Sequence, residues 1–123
     1  MNKIAFILHL KCKSDMTSVE KFIKELSVPH TASCDEPNTR SFEWYFNEDY
    51  KEATLVESFV DSDAAILRVN NLQKGPVNES FQRLFEVSKF EVLGNASQGL
   101  KETLDAWQPH FLRYIDGFNK NIT

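Results

Sequence analysis

The chain has 123 residues, enough for one domain over residues 1–123 and not comfortably two. With 41% hydrophobic and 26% charged residues it has an ordinary soluble composition. A net charge of −4 without a Lys/Arg cluster lacks the basic footprint that nucleic acids or anionic membrane surfaces require, and no apolar run reaches the roughly 20 residues of a membrane span.

The N-terminal "MNKIAFILHLKCKSD" loosely imitates a signal peptide. Its apolar run is short, however, and no small-residue cleavage site follows. It reads as the first strand of a cytoplasmic protein, Ile4 to Cys12. Ile4, Phe6, Leu8, Leu10 and Cys12 share one face; Ala5, Ile7, His9 and Lys11 share the other. Thr17 to Glu20 has capping-box spacing, and Val19, Phe22, Ile23 and Leu26 form the stripe of the helix it opens. Pro29 ends that helix or forces a break. "DEPNT" (Asp35 to Thr39) is a turn, with Pro37 presetting one backbone angle and Asn38 tolerant of the left-handed region.

"TRSFEWYFNED" is a second strand, with Phe42, Trp44 and Phe46 opposite Ser41, Glu43 and Tyr45. A polar connection, "NEDYKE", leads to a third strand, "ATLVESFV", antiparallel to the second. Asp61 or Ser62 caps a helix whose stripe is Ala65, Ile66, Val69 and Leu72, and "KGP" stops it. A short helix with Phe81, Leu84 and Phe85 precedes a fourth strand, "VSKFEVLG". A last helix starts at about Ser97, with Leu100, Leu104, Trp107, Phe111, Tyr114 and Phe118 on one side; Pro109 kinks or divides it.

The order β-α-β-β-α-β predicts an α+β, ferredoxin-like domain: a four-stranded antiparallel sheet with helices on one face and a C-terminal helical extension. The bare face calls for a cover, and a second copy of the chain is the simplest, so a homodimer is expected. Cys12 and Cys34 read as reduced thiols, and no CxxC or Cys/His cluster points to a metal. The sequons at Asn78, Asn95 and Asn121 carry little weight without a secretion signal.

"EPNT" with "FEWYFNED", "VESFVDSDAA" entering a helix, and "FEVLGNAS" resemble the antibiotic biosynthesis monooxygenase (ABM) family of dimeric α/β barrels. The resemblance runs over most of the chain through short, degenerate motifs. It implies a pocket in each subunit between sheet and helices, and for some members oxidation of phenols or quinols by molecular oxygen without a cofactor. Other members degrade haem, and many have no known activity, so fold alone does not fix function. The family often has Gly at the place of Asn38 and His at the place of Arg68. Haem-degrading relatives carry Trp there and an Asn on the first strand. Neither matches this chain, so no haem and no other cofactor is implied.

Cofactor-free oxygenation needs a dry aromatic pocket, a base, and a donor or cation for the anion that forms. Arg68 is the candidate for that anion, or else a surface arginine or one paired with a nearby acid. Glu57, between Leu55 and Phe59 on one strand face, is a candidate base, or else half of a structural ion pair with Arg68 or Arg40, which is the default for a buried carboxylate. His9 is a further candidate proton acceptor, or else a hydrogen-bonded strand histidine. His30 reads as a loop residue and His110 as a marker of the kink. Trp44 and Phe59 are candidate pocket walls; parity puts Trp44 and Tyr45 on opposite faces, so at most one lines a pocket. The reading is a monooxygenase of a phenol- or quinol-type molecule. The alternative is a non-catalytic barrel that binds a small hydrophobic ligand or serves a structural role.

Overall fold

The structure is a computed structural model that describes residues 2–120; the Asn121 sequon lies outside the described residues. Strands β1 (Ile4–Cys12), β2 (Thr39–Phe46), β3 (Glu52–Phe59) and β4 (Phe85–Leu93) form the antiparallel order β2-β3-β1-β4. Every second residue of β3 (Ala53, Leu55, Glu57, Phe59) is buried, as the alternation requires of a half-covered sheet. Helices α1 (Met16–Phe22), α2 (Val28–Ser33), α3 (Ser62–Lys74), α4 (Val77–Leu84) and α5 (Gln98–Thr103) supply the cover. The fold is α+β and ferredoxin-like.

Three local expectations are settled by the structure. Helix α1 begins one residue before Thr17, capped by Asp15, whose carboxylate accepts the Ser18 amide at 2.7 Å. Of the two outcomes open at Pro29, a break is the one observed: residues Ile23–Ser27 widen into a π-turn, in which the Val28 amide donates to the Ile23 carbonyl, and α2 continues with Pro29 and His30 inside it. A proline lacks the amide that would bond the carbonyl four residues back, and the wider turn accommodates that loss. Asn38 is not left-handed; among the described residues, Tyr50 and Gln108 are the non-glycine positions with positive φ.

The largest difference is C-terminal. The last helix stops at Thr103, a 3-10 turn covers Asp105–Trp107, and Gln108 reverses the chain at φ 49°. Pro109 cannot extend a helix, and His110–Leu112 instead form β5, paired parallel to β4. The sheet is therefore five-stranded and mixed. Residues 113–120 have no regular secondary structure.

The core is two adjoining clusters on the inner sheet face. One, around Ile4, Phe6, Phe59, Ala65, Val92, Leu100 and Leu104, packs under α3 and α5. The other, around Leu10, Val19, Phe22, Leu55, Leu84 and Phe85, packs under α1 and α4. A cavity lies between the sheet and these helices.

Candidate functional site

The cavity holds about 490 Å³ and is walled mainly by apolar and aromatic side chains, among them Phe6, Phe42, Trp44, Phe81 and Phe90. That volume suits a small ligand. Glu57 and Arg68 sit at its deep end, 7% and 4% exposed. Lys13, Gln82 and Glu86 line the exposed end with the partly exposed Val87 and Trp107.

Local rules explain how two charged groups reach the interior. Asp61 caps α3 by accepting the Ala64 amide at 2.9 Å, which fixes the helix phase. Ala65, Arg68, Val69 and Leu72 then follow the i, i+3, i+4, i+7 spacing of an inward stripe, so Arg68 stands where an apolar residue is the norm. Glu57 takes the inward place between Leu55 and Phe59.

Arg68 is paired with Glu36. Its Nη1 lies 3.1 Å from one carboxylate oxygen and 3.3 Å from the other. Asn71, one helical turn on, donates to the same carboxylate at 2.8 Å, and the Thr39 hydroxyl donates at 3.2 Å. Glu36 is thus saturated by donors, and much of the Arg68 charge is already compensated. Glu57 is left without such support. Burial pushes its carboxyl up to about 7; the Arg68 charge opposes that rise and the Glu36 charge adds to it. A group half-ionised near neutral pH can take or give a proton.

Other sequence candidates lie elsewhere. His9 is on the opposite face of the sheet, since strand parity separates it from Phe6 and Leu8. Its Nε2 and the Glu91 carboxylate are 2.9 Å apart, and the hydrogen bond from His9, then Lys89, holds the Glu91 carboxyl below its usual range. Phe59 is fully buried against Phe6 in the core and is not part of the cavity wall. Trp44 does line the cavity, and Tyr45 points away from it, half exposed. Arg40 is exposed. Sequence reasoning missed Glu36, which it left in a turn; the only signal was that a buried arginine demands an acidic partner.

Cys12 and Cys34 are free thiols, and burial pushes the Cys12 thiol up. Among the described residues, no group of three or more His, Cys, Asp or Glu side chains is placed to hold a metal ion, and no helix is long and apolar enough to cross a membrane.

Neither a protein-family model nor a curated protein sequence matches the chain. Solved structures do match. MupZ from Pseudomonas fluorescens is 16% identical with a TM-score of 0.77, over 98% of this chain and 96% of its own. SnoaB, a cofactor-independent oxygenase from Streptomyces nogalater, is 12% identical with a TM-score of 0.65, over 80% and 96%. A Bacteroides thetaiotaomicron protein described as a possible oxidoreductase is 14% identical with a TM-score of 0.58, over 74% and 95%. At these identities the likeness is one of fold: the chain shares the α+β architecture of a cofactor-independent oxygenase.

Proposed function

We propose that the chain is a cytoplasmic, homodimeric oxygenase of the ABM type that oxidises a neutral phenol- or quinol-type aromatic without a cofactor. The observation that carries this reading is Glu57: a buried carboxyl, raised to about 7, at the closed end of an aromatic cavity. Its carboxylate takes the phenolic proton, the O–H bond breaks, and the electron pair passes to the ring. The electron-rich ring then reduces molecular oxygen. One oxygen atom becomes a ring carbonyl, and the other leaves as water with the phenolic hydrogen and the displaced ring hydrogen, so phenol and oxygen give quinone and water. Arg68 steadies the developing anion through a charge that Glu36 partly shares, so the site favours a neutral substrate over a carboxylate or phosphate. His9, on the far face, has no part in this scheme, and Phe59 supports the site only from behind.

Oxygen consumption by wild type with a panel of substituted hydroquinones and naphthols tests this. Turnover above the buffer rate that Glu57→Gln abolishes is the expected result. Consumption at the buffer rate with every compound defeats the enzyme reading. The compensation of Arg68 by Glu36 also suits a second reading, in which the cavity holds such a molecule without converting it; calorimetric binding without oxygen uptake marks that case.

A further inference from the structure

Glu57 stands alone on the inner face of the sheet. No hydrogen bond or ion pair with a described residue supports its carboxyl, which feels only burial and the charges of Arg68 and Glu36 acting through space. Its oxygens are nevertheless not sealed off: among the described residues, Trp44 Nε1 is the one side-chain nitrogen or oxygen both fully buried and without a partner. Glu57 belongs to an interior strand and points inward with Leu55 and Phe59, so the little surface it retains opens into the cavity that it lines.

Its strand neighbours are aromatic on both sides. The register places Phe6 of β1 directly opposite Glu57 on one side and Phe42 of β2 directly opposite on the other, and both line the cavity. Directly paired residues of antiparallel strands have Cβ atoms about 4.5–5.5 Å apart, so each phenylalanine is within side-chain reach of the carboxyl. The charge at this end has one sign. Glu57 and Glu36 are two negative groups against the single positive Arg68, whose guanidinium Glu36 already holds at 3.1 Å, and one net negative charge is left when Glu57 is ionised. Among the described residues, the other charged side chains of the wall are Lys13 and Glu86, which stand at the exposed end and cancel. A carboxylate flanked by aromatic rings in a largely apolar cavity suits an organic ammonium: the carboxylate supplies charge and acceptors, and ring faces attract a cation.

We propose that the deep end of the cavity is an ammonium site, in which Glu57 holds the protonated amine of an aromatic ligand between Phe6 and Phe42. This goes beyond the oxygenase reading, because it concerns what the cavity holds and needs no turnover. The amine donates to carboxylate oxygens that no protein donor satisfies, whereas a carboxylate of the same shape meets an uncompensated like charge. An amine seated there occupies the group that takes the phenolic proton, so it blocks oxygenation rather than undergoing it.

Calorimetry at pH 8 and about 0.15 M salt, which screens charges on the surface, compares 1-naphthylmethylamine, 1-naphthylmethanol and 1-naphthoate as probes. They put a cation, a neutral hydroxyl and an anion on one ring system. Wild type should bind the amine about tenfold tighter than the alcohol, and the carboxylate weakest of the three. Glu57→Gln should bring amine and alcohol within about twofold of each other. Should the variant not fold, wild type decides: at pH 5.5 the amine is still charged while Glu57 is mostly protonated, and the preference should shrink to about twofold. An amine bound no better than the alcohol at pH 8, or a preference that Glu57→Gln or pH 5.5 leaves intact, overturns this proposal alone. Failure of all three probes to bind wild type overturns it together with the reading of the cavity as a ligand site. Oxygen uptake plays no part in these readouts, so the oxygenase reading stands or falls separately.

Discussion

Glu57 ties stability and chemistry to pH in opposite directions. Its carboxyl titrates near 4.5 in an open chain and at about 7 in the folded one. Between those values the folded state binds the extra proton, so stability falls as pH rises and levels off above 7. The loss is on the order of 3 kcal/mol, from the free energy equivalent of the shift. In the proposed reaction, activity that needs the carboxylate should rise through the same window. Urea denaturation from pH 4 to 9 should show the decline, and Glu57→Gln, neutral at every pH, should remove this component of it and be the more stable protein at pH 8. A second expectation concerns Arg68. Removing it strands the buried Glu36 carboxylate, so Arg68→Ala should cost about 3–5 kcal/mol in denaturant melts, as breaking a buried pair does. Glu36→Gln should instead move the pH–rate profile to lower pH, because the Glu36 charge is one cause of the raised Glu57 proton affinity. Glu57 and Arg68 were legible in the sequence because each interrupts an apolar period, one of two residues and one of 3.6. Glu36 interrupts nothing; its role comes from a loop meeting a helix 32 residues later, which no local pattern records.

At the scale of elements, the strands and α3 were readable from alternation, stripe and cap. The largest open questions fall at prolines, where local rules state what cannot happen and leave open what replaces it. Pro29 forbids a regular α-turn, and the chain chose a π-turn that keeps Ser27 and Thr31 on the cavity wall. Pro109 forbids a long last helix, and the apolar spacing from Leu100 to Phe118 concealed the change to a strand, because β5 depends on an open edge of β4. The turn leaving β4 shows how tightly that edge is drawn. Gly94 has φ 115°, and a Cβ there would collide with the Lys3 carbonyl oxygen, a backbone atom that cannot swing aside. Gly94→Ala should therefore destabilise the fold by roughly 2–4 kcal/mol, more than the 1 kcal/mol or so of an ordinary backbone effect, as judged by chemical denaturation. Gly99 faces only ordinary contacts, and the same change there, within α5, should be neutral or mildly stabilising.

The molecule as a whole has an outer sheet face and a C-terminal arm that none of the described residues covers. The outer face mixes the His9–Glu91 pair with Ile7, Val56 and the half-exposed Tyr45. The arm leaves β5, is held by the Tyr114 amide donating to Asn95 at 3.2 Å, and then presents Ile115 and Phe118 at 81% and 88% exposure. Two such side chains lie in water within four residues, and burying each would be worth about 1.5–3 kcal/mol. In a twofold dimer the same contact occurs twice, so both arms contribute to one interface. If the proposed homodimer is held in this way, light scattering at micromolar concentration should give twice the 14.2 kDa chain mass. Ile115→Asp with Phe118→Asp should then raise the dissociation constant by about a hundredfold or more, four apolar burials being lost per dimer. The cavity lies between sheet and helices of a single chain, so probe binding at high protein concentration should survive those changes. A wild-type mass of 14.2 kDa across the whole concentration range would defeat the dimer, while a dimer that tolerates both substitutions would place its contacts on the sheet face alone.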